Sequence, residues 1–97
     1  MEEKPKLQNL RADVRGRVQG VGFRQFVLTH ALRLKLKGWV QNSPFNRNRV
    51  EVEAEGPIDD LSAFLAKLRE GPSSSRVESV DVSWCDATGS FYRFEIR

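Results

Sequence analysis

Cysteine, histidine and long apolar runs are all scarce in this chain, and each scarcity removes a class of function. The one cysteine, Cys85, has no partner for an internal disulfide, which fits a reducing cytoplasm. It closes a strand pattern with no helix start beside it, so nothing there would make it a nucleophilic thiolate. No His, Cys, Asp or Glu grouping has the spacing of a metal site, and no metal or cofactor is expected. The single histidine, His30, lies on an apolar helical stripe about two turns beyond the loop described below, too far to serve it, and reads as a core or boundary residue. Ser73, Ser74 and Ser75 have no histidine or lysine arranged in sequence as a base. No apolar segment approaches the roughly 20 residues of a membrane span. The polar, acidic start Met1-Glu2-Glu3-Lys4 is not a secretory signal. Net charge is only +3, and the tract of Arg47 and Arg49 is too small for a nucleic-acid surface, so neither nucleic acid nor membrane is expected as a partner.

What is present is organised around Gly16-Arg17-Val18-Gln19-Gly20-Val21-Gly22-Phe23-Arg24. Upstream, Leu10, Ala12, Val14, Gly16 and Val18 alternate with Arg11, Asp13, Arg15 and Arg17, which is strand periodicity. Downstream, Phe23, Phe26, Val27, Ala31 and Leu34 recur at helical spacing. The stretch is therefore a strand-to-helix turn with Gly20 and Gly22 in the bend. Such a turn can hold an anion, through backbone N–H groups gathered in a nest, the positive end of the helix and a guanidinium at Arg24. It is also readable as a glycine-rich connection followed by a surface arginine, and spacing alone does not decide between the two. The stretch is neither a Walker loop, since no Gly-Lys-Ser/Thr closes it, nor the G-x-G-x-x-G dinucleotide signature.

At 97 residues the chain is one domain. Residues 1–8 read as a flexible lead and 9–97 as the folded unit. Strands are expected near 9–18, 37–43, 50–55, 76–85 and 91–96, with helices near 23–34 and from Pro57 to Glu70. Gly56-Pro57 should end the third strand, with Asp59 and Asp60 favourable in the first turn of the second helix. Glu51, Glu53 and Glu55 alternate with valine and alanine and read as the solvated face of a half-buried strand. In the last strand Tyr92, Phe94 and Ile96 should share one side. The element order is β-α-β-β-α-β plus a final strand. The fold class is α+β, a ferredoxin-like sandwich with an antiparallel sheet of four to five strands and two helices on one face. Strand order is not legible.

A second stretch, Gly38-Trp39-Val40-Gln41-Asn42, follows the first helix. Together with Gly-Arg-Val-Gln-Gly-Val-Gly-Phe-Arg it resembles the two signatures of the acylphosphatase family, over nearly the whole chain from Arg11 to Ile96. The resemblance implies a stand-alone, single-domain hydrolase, cytoplasmic and monomeric. It implies metal-independent cleavage of the carboxyl–phosphate bond of a small-molecule acyl phosphate, giving a carboxylate and inorganic phosphate. On the same resemblance the catalytic residues map to Arg24 and Asn42. The phosphate would be held by Gln19, Gly20, Val21, Gly22, Phe23 and Arg24. Asn42 is not a base at neutral pH; its amide would hold and aim a water. Taken alone, Asn42 reads better as a strand-end residue capping the next turn.

Two departures from the family pattern stand out. Lys35 replaces the glycine of a Leu-Gly-Leu run at the helix end, where a left-handed residue costs on the order of 1 kcal/mol relative to glycine. The connection Pro44 to Arg49 is longer than the usual tight turn and has no glycine; it reads as a tolerated insertion in a hairpin, the other reading being a loop that shapes substrate access beside Asn42. Two other readings share the fold. Large hydrogenase-maturation carbamoyltransferases carry a similar Val-Gln-Gly-Val-Gly-Phe-Arg run, usually followed by proline and a zinc-finger region. Here Gln25 follows Arg24 and the chain ends at Arg97, so a stand-alone enzyme is expected, with carbamoyl phosphate still an eligible substrate. A non-catalytic phosphate- or small-molecule-binding module would not require Asn42 together with Arg24. An RNA-binding module would need aromatics where Val50, Val52 and Ala54 alternate with glutamates.

Overall fold

Alternation along β1 (Leu7–Arg17) builds the centre of the molecule: Leu10, Ala12 and Val14 are buried on one face, while Arg11 and Arg15 are exposed on the other. A computed structural model describes residues 6–97, and the remaining elements are α1 (Phe23–Arg33), β2 (Lys37–Asn42), β3 (Arg49–Pro57), α2 (Ile58–Glu70), β4 (Arg76–Asp86) and β5 (Phe94–Ile96). The sheet order is β4-β1-β3-β2-β5. The α1 helix packs over β2 and β5, and α2 over β1, β3 and β4. Between the layers lie Leu10, Val14, Val40, Val50 and Val52 from the sheet, Phe23, Val27 and Ala31 from α1, and Leu61, Phe64 and Leu68 from α2. Fully burying each of the larger side chains is worth about 1.5–3 kcal/mol, so this contiguous layer is the main source of stability.

The four longer strands pair antiparallel, as expected, but β5 runs parallel to β2, with Gly38 opposite Phe94 and Val40 opposite Ile96. The sheet is therefore mixed. The cause is the chain path. β4 sits at one edge and finishes at the far end of the sheet, beside the start of β1. Residues 87–93 then cross that end to the opposite edge, so the last strand must run in the same direction as β2. The crossing uses up residues that alternation had assigned to a strand. β5 begins only at Phe94, and Tyr92 lies outside it, 94% exposed.

Other boundaries shift for local reasons. β1 begins at Leu7 because Leu7 and Gln8 already pair with Pro57 and Gly56; residues 1–5 of the expected lead lie outside the described residues. For the same reason β3 runs through Gly56 and Pro57 rather than ending before them, and Pro57, in extended conformation, is the N-cap of α2. Asp59 and Asp60 do occupy the first turn of α2. At the end of α1, Lys35 takes the left-handed conformation at φ 56°, with Leu36 N–H bonded to Ala31 O and Lys35 N–H to Leu32 O. This is the Schellman pattern, closed here by a residue with a Cβ.

The glutamates of β3 do not form a solvated face. Glu51 and Glu53 are half-buried and Glu55 is 7% exposed. β3 is the middle strand, and side chains from both neighbours cover it. Asn9 Nδ2 donates to Glu53 at 2.8 Å and to Glu55 at 2.7 Å, and Gln41 Nε2 donates to Glu51 at 2.7 Å. Trp39 on the same face is buried beneath the guanidinium groups of Arg11 and Arg97, at 5.7 and 5.0 Å from its ring. Cation–π stacking thus closes a face that no helix covers.

Candidate active site

The turn between β1 and α1 lies at the end of the sheet where β2 and β5 also finish. Gly20 and Gly22 have φ of 72° and 76°, a left-handed conformation that residues with a Cβ rarely adopt, which is why the bend needs glycine at both positions. Gly22 is the N-cap of α1 and supplies no side-chain cap, and the first turn of α1 carries no acidic residue. The first turn of α2, by contrast, holds two aspartates. The positive end of α1 is therefore left to whatever occupies the space in front of it.

That space is a cleft of about 260 Å³, lined by Val18, Gly20, Gly22, Phe23, Arg24, Gln25, Asn42 and Ile96. Pockets for drug-sized ligands begin at about 300 Å³, so this one suits a small substrate. Phe23 is buried in the core and anchors the helix start. Arg24 is exposed and makes no ion pair among the described residues, leaving its guanidinium available to an anion. Asn42 ends β2 opposite Val50. Its Oδ1 is buried and has no hydrogen-bond donor among the described residues. A buried acceptor left unpaired costs about 1–3 kcal/mol, so such atoms are uncommon away from functional sites.

Of the residues the sequence singled out, Gly20, Gly22, Phe23, Arg24 and Asn42 share this cleft, whereas Gln19 and Val21 do not line it. Both serve to hold the loop. Val21 packs against the core, and its carbonyl accepts a bond from Ser74 Oγ at 2.9 Å. The Gln19 side chain donates to Asn46 O and Arg49 O at 3.0 and 2.9 Å. The stretch 71–75 thus braces the site from one side and the long 44–49 loop braces it from the other. That loop is internally built. Ser43 Oγ accepts from the backbone of Phe45 and Asn46, and Asn46 Oδ1 accepts from Asn48 N–H at 2.8 Å. Gln25 and Ile96 were not singled out as site residues. Ile96 arrives only through the parallel pairing of β5, for which the sequence carries no signal. His30 lies outside the cleft, half-buried and packed against Phe26, with ring centroids 4.5 Å apart and planes tilted by 59°. Burial and the charges of Lys67 and Arg33 hold its imidazole below the usual value, against the opposing influence of Glu70.

Fold and cleft together define a small α+β domain with an anion-suited turn, an arginine and a strand-end amide around one opening. A sequence profile for Acylphosphatase matches residues 10–96. An acylphosphatase from Salinibacter ruber is 48% identical over 89% of this chain and 88% of its own length. The crystal structure of acylphosphatase from Bacillus subtilis superposes with a TM-score of 0.87 at 40% identity, covering 93% of this chain and 98% of that one. A full-length HypF, in a phosphate- and nucleotide-bound form, matches all of this chain with a TM-score of 0.87 and 33% identity, but over only 12% of its own length. The chain belongs to the acylphosphatase family, hydrolases of acyl phosphates that release inorganic phosphate.

Proposed function

We propose that the cleft binds the phosphoryl group of a small acyl phosphate and hydrolyses its carboxyl–phosphate bond without a metal. Backbone N–H groups of Gly20, Gly22, Phe23 and Arg24 hold the phosphoryl oxygens, and the Arg24 guanidinium spreads over two of them. Asn42 aligns a water for in-line attack: its side-chain amide, at the cleft, hydrogen-bonds the water and aims a lone pair at phosphorus. The new bond forms between water oxygen and phosphorus while the bond from phosphorus to the carboxyl oxygen breaks. The carboxylate leaves with the electron pair, and the water's proton passes to a phosphoryl oxygen of the substrate. A carboxylate is a good leaving group, so no general acid is needed, and rate enhancement comes from positioning and from charge stabilisation in a fixed site. The observation that carries this reading is the convergence on one opening of Gly20, Gly22 and Arg24 with the side chain of Asn42.

The test is benzoyl phosphate hydrolysis in excess chelator and heavy-oxygen water. The expected result is fast turnover with the label in phosphate; label in benzoate would mean attack at carbon and would overturn the in-line scheme. The same reading takes the protein as a cytoplasmic monomer with no nucleic-acid or membrane partner. Its exposed free thiol, Cys85, supports a reducing compartment. Light scattering on the purified protein reads the oligomeric state directly.

A further inference from the structure

We infer that the side chain of Gln19 is a positioning residue for the hydrolytic step, acting through Asn42 to set the water-aligning amide relative to the phosphate loop. This rests on the reading of Asn42 given above. One amide nitrogen, Gln19 Nε2, donates to Asn46 O at 3.0 Å and to Arg49 O at 2.9 Å. Both partners are carbonyl oxygens, so only the nitrogen of the amide can face them, and both of its N–H groups are used. The Arg49 carbonyl also accepts the backbone N–H of Ser43 at 3.0 Å, and Ser43 follows Asn42 directly. The β2–β3 ladder ends at Asn42 and Val50, so the Ser43–Arg49 bond is the first contact beyond it. Gln19 therefore grips the carbonyl that fixes the end of β2.

The arrangement joins two halves of the site that come from different parts of the chain. The anion loop and Arg24 ride on the start of α1; Asn42 rides on the end of β2. The loop has other supports, since Ser74 holds Val21 O and Phe23 is sunk in the core. Phosphate binding should thus survive loss of the Gln19 amide, while the aim of the water should not. The 44–49 loop then has a role as well, because its mouth presents the two carbonyls that Gln19 needs.

The experiment is a double-mutant cycle on benzoyl phosphate hydrolysis, with inhibition by inorganic phosphate measured on every variant. Gln19→Met keeps the length and bulk of the side chain and removes both donors. Displacing a reacting group slightly costs up to a hundredfold, so a loss in kcat of about tenfold is expected, with the phosphate inhibition constant little changed. In an Asn42→Ala background, Gln19→Met should cost less than about twofold more, because coupled residues are non-additive. An equal loss in both backgrounds, or a parallel loss of phosphate affinity, would overturn the inference while leaving the role of Asn42 standing. Full activity of Asn42→Ala alone would remove that role, and this inference with it. If Gln19→Met does not fold, Gln19→Glu decides. Its carboxyl can donate only when protonated, so its kcat relative to the parent should rise as pH falls; a flat ratio would overturn the inference.

Discussion

The two ends of the sheet carry opposite kinds of buried oxygen. At the end near α1, Asn42 Oδ1 is buried with no donor among the described residues. At the far end, Glu55 Oε2 accepts from Asn9 Nδ2 at 2.7 Å, Thr88 N–H at 2.8 Å and Thr88 Oγ1 at 2.9 Å, and Oε1 accepts from Gly89 N–H at 3.0 Å. Both ends also bear clefts of similar size, about 260 Å³ and 220 Å³, the second lined by Glu55, Lys35, Lys37 and Phe91 among others. Size alone would not tell them apart. The state of the polar atoms does: the acceptor near α1 has no partner among the described residues, whereas the saturated Glu55 pins the crossing chain that leads into the parallel β5. On the function proposed above, one end spends stability on chemistry and the other supplies it.

The largest expected effect that would break this contrast is in activity. Asn42→Ala should lower kcat by roughly a hundredfold or more, as for the loss of one preorganised polar group. The melting temperature should hold or rise, because the substitution removes a buried unpaired acceptor. Arg24→Ala should lose turnover and phosphate affinity together, read by steady-state kinetics with phosphate inhibition. At the other end, Glu55→Ala strands the Asn9, Thr88 and Gly89 donors and should cost about 3 kcal/mol. For a domain of this size that corresponds to a melting temperature roughly 15 °C lower. The activity of the folded variant at low temperature should stay near that of the parent.

Acid should sharpen the comparison. Burial tends to raise the Glu55 carboxyl, but the bonds from Asn9, Thr88 and Gly89 prevail and hold it below its usual value. Between the folded and unfolded values the unfolded chain binds more protons, so this stability is present above the unfolded carboxylate range and is lost as pH falls through the folded value. His30 works in the same direction at higher pH. Its lowered value means that stability is complete above the ordinary histidine range and falls as pH drops below about 6.5. Thermal melts of Glu55→Gln should show a weaker acid slope than the parent below about pH 4.5. The smallest expected effect is at Lys35. Replacing it with glycine relieves a left-handed residue and should stabilise the protein by about 1 kcal/mol, without moving kcat.

Legibility in the sequence followed the range of the interactions. The strand-to-helix turn was readable because alternation, glycines and helical spacing are local. The left-handed Lys35 was readable through the resemblance, whose Leu-Gly-Leu pattern puts a glycine at that helix end. Arg24 and Asn42 were nominated through the resemblance, and the cleft then brings them together. The parallel strand was not readable, since the direction of β5 depends on which edge the crossing chain reaches. The burial of Glu55 was hidden for a similar reason. Alternation says which face a residue occupies, but not that Asn9 and the crossing residues 88 and 89 will cover that face. The Gln19 side chain was masked by its place in a motif whose backbone drew the attention.

The most direct measurement is a crossed comparison of Asn42→Ala and Glu55→Gln, each assayed for benzoyl phosphate turnover in excess chelator and for thermal stability. The account predicts that Asn42→Ala loses turnover while keeping its melting temperature, and that Glu55→Gln keeps turnover while losing melting temperature. If Asn42→Ala hydrolysed benzoyl phosphate at the parent's rate, the Asn42 amide would not be the water's partner, and the central claim would be wrong.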